Sequence, residues 1–156
     1  MGEIADAKDD FAGSFEASFA RFQVRVEEAC AEGSDWPSRV AAAIRAALKF
    51  AAADPIAANV LTNDALAAGN DGILRHRRLI AYVARGLAPG REQRPHSVSL
   101  PSLTEQALAG GLAGIVAERL TRGRAHELPA LASEAIQFAL TPYVGVEEAR
   151  RIAASG

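Results

Sequence analysis

The residues able to do chemistry are few in this chain and scattered along it. His76, His96 and His126 lie far apart, and no H-E-x-x-H, C-x-x-C or EF-hand spacing joins them to carboxylates or thiols. No metal site is therefore expected. Glu27 with Glu28, and Glu147 with Glu148, are adjacent pairs. Neighbours on a helix point to different faces, so neither pair makes a two-carboxylate acid–base site. No G-x-S-x-G elbow occurs. Gly110-Gly111-Leu112-Ala113-Gly114 is a poor phosphate loop, because it sits inside a helical pattern and follows no strand. Arg75-His76-Arg77-Arg78 is the one dense basic cluster, suited to a carboxylate, a phosphate or an acidic partner. Four consecutive residues cover every side of a helix, so most of the cluster is expected to be solvated. Neither an enzyme nor a cofactor is indicated.

Binding chemistry is better represented. Phe15, Phe19 and Phe22, with Trp36 and Tyr82, can line an apolar effector cavity. An aromatic stripe at helical spacing also describes an ordinary core. Asn59, Asn63, His76 and Gln106 are polar residues on apolar-flanked helices and can orient a ligand, or else serve as surface and capping groups.

These residues need helices to position them. At 156 residues the chain fits one domain with a real core. Hydrophobic residues make up 49% and aromatics 6%, with alanine abundant and little polar–apolar alternation, which favours a helical bundle over strands. Phe11, Phe15, Phe19, Phe22, Val26 and Ala29 mark the first helix, after a disordered segment expected over 1–10. Gly33 ends it. Ser34 or Asp35, with Pro37, starts the second helix, and Asp54-Pro55 the third, over about 55–68. Gly69 and the turn-forming Asn70-Asp71-Gly72 precede a fourth helix to about 87. A long polar loop is expected over 88–101, then helices at about 102–121, 127–143 and 146–154. The single helical domain thus spans 11–156.

The net charge of −2 gives no drive toward nucleic acid or an anionic membrane. No apolar run reaches the roughly 18 residues of a membrane span, no signal peptide is evident, and Asp6 stands where a myristoylation site wants Ser or Thr. Cys30 is the only cysteine and lies on a helical stripe as a small core residue. A reducing cytoplasm is the expected setting.

The helix EQALAGGLAGIVAERLTRG raises a separate question. Each interior glycine costs about 0.5–1 kcal/mol relative to alanine, yet Gly110, Gly111 and Gly114 occupy its middle. On a helical wheel Leu108, Leu112, Ile115, Val116 and Leu120 fall on one side. Ala107, Gly110, Gly111, Ala113, Gly114 and Ala117 fall on the other. Such a helix is either central in the domain or covered by a second subunit through its small face. The following helix carries Leu131 and Phe138 on one face. A hairpin of the two, doubled by a two-fold axis, would make a four-helix interface.

The order of elements resembles the C-terminal regulatory domain of the tetracycline-repressor-like (TetR/AcrR) transcriptional regulators, over about Phe11–Ala153. DDFAGSFEASFARFQVRVEEA is similar to the family's connecting helix. The Asp54-Pro55 step is similar to the junction of its next two helices, and the Ala-Gly-Gly helix ending in Arg122-Gly123, with Thr141-Pro142-Tyr143-Val144-Gly145, to its closing part. The resemblance implies an all-α bundle of about seven helices whose last two long helices form a four-helix homodimer interface. That interface would use Ala107, Gly110, Gly111, Gly114, Ala117, Leu131 and Phe138. It also implies a mostly apolar cavity for a small-molecule effector that controls DNA binding. The family's three-helix DNA-reading head has no counterpart before Phe11, and MGEIADAKDD is not basic enough to read a groove, so DNA contact is expected only through a helix-turn-helix absent from these residues. A head-less module that binds a ligand or a protein partner is the alternative expectation.

Overall fold

A computed structural model describes residues 2–93 and 99–156. Among them the fold is all-α, with seven helices and no strand. His96 and the centre of the expected 88–101 loop lie outside the described residues.

Helix α1 runs Gly2–Ala31. Its stripe buries Phe15, Phe19, Phe22 and Val26, as the spacing predicts. The segment 1–10 was expected to be disordered, but helix extends back to Gly2 with every residue of 2–10 exposed. Propagation adds one hydrogen bond per residue once the aromatic stripe has nucleated the helix, and Glu3, Ala5, Ala7 and Lys8 are good helix formers. Helix α2 is Trp36–Ala53; Asp35 caps it by accepting from the Ser38 N–H at 2.9 Å, with Pro37 in the first turn. Asp54 caps the next helix the same way, accepting from the Ala57 N–H at 3.0 Å, and also pairs with Arg21 of α1 at 2.8 Å.

Helix α3, over 55–67, is not uniform: Pro55–Asn59 is α, Val60–Asp64 widens into a π turn, and Ala65–Ala67 returns to α. Helix α4 is Gly69–Leu87. Asn70-Asp71-Gly72, expected as a turn, instead forms its first turn. The bend is made by Gly69 at φ +73°, and Gly72 packs so closely on α3 that a Cβ there would collide with the Ala65 carbonyl oxygen.

A 3-10 segment, Ala88–Glu92, follows. Helix α5 is Thr104–Thr121, α6 is Ala132–Val144 and α7 is Val146–Ala154. The helix expected from 127 starts later because Ala125–Leu131 is 3-10, with Pro129 inside it. Proline lacks the N–H that an α turn needs. Helix α6 is therefore the shorter partner of the pair.

Two apolar clusters form the core. One joins α1, α3 and α4 around Phe15, Phe19, Phe22, Leu61 and Leu79. The other joins α2, α5, α6 and α7 around Leu48, Leu108, Ile136, Leu140 and Tyr143. Helix α2 lies between them, packed on α1 on one side and on α6 and α7 on the other. No helix among the described residues is long and apolar enough to cross a membrane.

Candidate functional site

Where the two clusters meet, the packing leaves space. An inner chamber of about 110 Å³ is walled by Phe22 of α1, Ile44, Ala47, Leu48 and Ala51 of α2, Leu61 and Thr62 of α3, Leu79 of α4, and Ala109, Leu112, Ala113 and Val116 of α5. Alanines supply much of this wall, Ala135 of α6 among them, and small side chains at a six-helix junction leave volume unfilled. The π turn of α3 contributes Leu61 and Thr62; π turns frequently accompany functional sites. The Thr62 hydroxyl donates to the Ala58 carbonyl at 2.8 Å, so even this polar side chain is internally engaged.

An outer chamber of about 410 Å³ adjoins it. Phe22, Ile44, Val83 and Leu112 line both, and the outer space is completed by Val26, Cys30, Trp36, Arg39, Tyr82 and Arg85 among others. The larger chamber falls within the range of about 300–1,000 Å³ typical of small-molecule sites. The Trp36 indole N–H donates to the Gly86 carbonyl at 2.9 Å, fixing the ring across the α2–α4 gap. The Tyr82 hydroxyl donates to Glu27 at 3.4 Å; burial first, then the Glu27 charge, push its pKa up to about 12. Burial likewise raises the Cys30 thiol, which disfavours the reactive thiolate.

The structure thus gathers three of the sequence-predicted ligand residues at the cavity: Phe22 in both chambers, Trp36 and Tyr82 in the outer one. Phe15 and Phe19 lie in the α1–α3–α4 cluster and line neither chamber. Asn59 and Asn63 do not reach the cavity either. They bond each other at 2.9 Å, Asn59 donates to Asp64 at 2.8 Å, and Asn63 crosses to the Ala117 carbonyl of α5 at 3.1 Å. Their polarity ties α3 to α5 instead of facing a ligand. His76 is half-buried on α4, its pKa lowered by burial, and Gln106 is exposed on α5; neither lines a chamber. The basic cluster is partly structural. Arg78 makes two hydrogen bonds to Glu16, at 2.6 and 3.2 Å, and lies 5.4 Å from the Phe19 ring centroid, which holds Glu16 below its usual pKa. No group of three His, Cys, Asp or Glu side chains is placed to hold a metal among the described residues.

Behind Trp36 lies an arrangement that no local spacing announces. The Trp36 and Tyr143 rings meet edge-on at 5.2 Å. The Tyr143 hydroxyl, fully buried, donates to Glu105 at 2.9 Å, and Arg91 grips the same carboxylate with two bonds of 2.8 and 2.9 Å. Arg91 also donates to the Leu100 and Pro101 carbonyls, closing the connection back onto the start of α5. Burial raises the Glu105 pKa, but Arg91, the residue's own backbone N–H and the Tyr143 hydroxyl together outweigh it and hold the carboxyl below its ordinary value. Gly90 fits between both rings: a Cβ there would fall 2.6 Å from Tyr143 and closer still to Trp36.

The outward side of α5 carries the small residues. Ala107, Gly110 and Gly114 are exposed, and a Cβ added at Gly110 or Gly114 meets nothing within 4 Å among the described residues. Gly111 differs, since its Cβ would touch the Phe138 ring at 3.1 Å. Phe138 itself is 44% exposed, and with Gly111, Gly114, Ile115 and Leu131 it lines a shallow groove between α5 and α6. Ile115, placed with the core face by the wheel, stands at the rim of that groove and also borders the inner chamber. Ala117 is half-buried toward α3, where its carbonyl accepts from Asn63.

Comparison with protein-family models, curated proteins and solved structures finds no match for this chain.

Proposed function

We propose that this chain is the effector-sensing and dimerisation domain of a tetracycline-repressor-like transcriptional regulator, in which a small, mostly apolar molecule binds between the helices. The observation carrying the reading is the double character of α5. Ala109, Leu112, Ala113 and Val116 line the inner chamber, while Ala107, Gly110 and Gly114 on the opposite side are bare. A sensor needs its ligand wall and its subunit contact on one rigid element, so that cavity occupancy is felt at the interface. The seven-helix order, the Asp54-Pro55 junction and the closing α6–α7 turn at Gly145 support the same assignment. In this reading α1 leads to a DNA-reading head, and the homodimer sets the spacing of two such heads on an operator.

Native mass spectrometry of gently purified protein tests the proposal. A dimer carrying a retained small mass is the expected result. A monomer at every micromolar concentration, with no retained mass, would refute it.

A further inference from the structure

Resting on that cavity reading, we infer that the ligand is an unbranched amphipathic monocarboxylate, its alkyl end in the inner chamber and its carboxylate at Arg39 and Arg85.

The size of the inner chamber argues for a chain end. Its volume of about 110 Å³ is smaller than the roughly 150 Å³ of an apolar cavity that accepts benzene. A ring is therefore disfavoured, whereas the tip of an alkyl chain fits. Its lining is hydrocarbon except for Thr62, whose hydroxyl already donates to Ala58. A polar group carried into this space would lose its water without gaining a partner. The ligand must hold its polarity at the other end.

The outer chamber supplies that end. At about 410 Å³ it takes the remainder of the chain, and the charged residues lining it, Arg39 and Arg85, have the same sign. Neither is held in an ion pair among the described residues; Arg39 uses its Nε on the Gly33 carbonyl at 3.1 Å. Two acids lie near the chamber, Glu27, which accepts from the Tyr82 hydroxyl at 3.4 Å, and Asp35, on which the Arg39 charge acts, and neither is part of the lining. A cationic head would meet two like charges. A carboxylate offers two oxygens to two planar guanidinium forks, the pairing those groups form best.

Trp36 is the single tryptophan and borders the outer chamber, so its emission reports binding directly. The full chain is titrated with decanoate and with decan-1-ol, and circular dichroism checks each variant for folding. Decanoate should change the emission saturably. Arg39→Gln and Arg85→Gln should each weaken decanoate about tenfold and leave decanol unchanged. Ala47→Leu, which fills the inner chamber, should weaken both. Equal affinity for acid and alcohol, indifferent to the arginine substitutions, would overturn the carboxylate assignment while leaving an apolar cavity standing. Saturable binding of neither compound would overturn the cavity reading and this inference together.

Discussion

Replacing Gly110 and Gly114 together by alanine separates the two roles that α5 can have. Among the described residues of the single chain, an added Cβ at either position meets nothing within 4 Å. Each substitution therefore brings only the helix gain, about 0.5–1 kcal/mol, or roughly 1–2 kcal/mol for the pair. For a chain of this size that raises the melting temperature by roughly 2–8 °C under conditions where the protein is monomeric. At a two-fold seam the same Cβ atoms intrude between closely approaching backbones, and symmetry presents each intrusion twice. Overpacking at about 1 kcal/mol or more at each of the four intrusions then weakens the dimer by at least about 4 kcal/mol, nearly a thousandfold in Kd. The two effects are read independently. The helix gain is present in folded monomer and dimer alike and cancels from Kd, which sedimentation equilibrium measures. Thermal melts of dilute protein report the helix gain alone. Gly111→Ala is the contrast: its Cβ meets the Phe138 ring of the same chain, so it carries an intrachain cost in the dilute melts that Gly110 and Gly114 lack. A double-alanine variant that melts higher and dimerises as tightly as its parent would refute the small-face seam.

Gly90→Ala should lower stability by about 1–3 kcal/mol, since the Trp36 and Tyr143 rings must part to admit the methyl group, and thermal melts should fall by roughly 2–12 °C. Glu105→Gln should destabilise the protein above about pH 4.5 and progressively less below it. The folded carboxyl is held under its ordinary 4.5, so its contribution is present above the unfolded pKa and lost as pH falls through the folded one; melts of parent and variant across acid pH check this. The protein has two tyrosines, Tyr82 and Tyr143, and both are pushed up, Tyr82 to about 12. Phenolate absorbance should therefore stay low in the folded protein at pH 10 and rise there only on unfolding in urea. Half-ionisation of the native protein near pH 10 would contradict the burial of both hydroxyls.

What could be read from sequence follows the range of the forces involved. Helix ends were legible wherever a short side chain and a proline act within one turn, as at Asp35-Pro37 and Asp54-Pro55, because capping is local. The aromatic stripe of α1 was legible as a buried face, but which of its rings would border a void was not. Phe15 and Phe19 pack against α3 and α4, whereas Phe22 reaches the junction of the two clusters, a distinction set by neighbouring helices. Six of the seventeen residues lining the inner chamber are alanines, in a chain where alanine is everywhere, so no single position stands out. The Arg91–Glu105–Tyr143 arrangement joins residues 14 and 38 positions apart and leaves no periodic trace. Asn59 and Asn63 misled in the opposite direction: polar residues on an apolar helix were offered to a ligand, yet they satisfy each other and an α5 carbonyl.

The three glycines of α5 do not share one cause. Gly111 answers to Phe138 within the chain, whereas Gly110 and Gly114 answer to nothing among the described residues. About 1–2 kcal/mol of helix propensity is forgone at the latter two positions with no return from the described residues. The inner chamber presses on the reverse side of the same helix, and the start of that helix is clamped by Glu105 through Tyr143 to Trp36, a wall of the outer chamber. A molecule that displaces Trp36 or presses on Leu112 from the cavity therefore acts on α5 at two points along its length. On the proposed reading, the effector's influence on the dimer cannot exceed the difference in its affinity for the two positions of α5. Variants that loosen the clamp, Tyr143→Phe above all, should then reduce the effector's influence on dimerisation more than they reduce its binding.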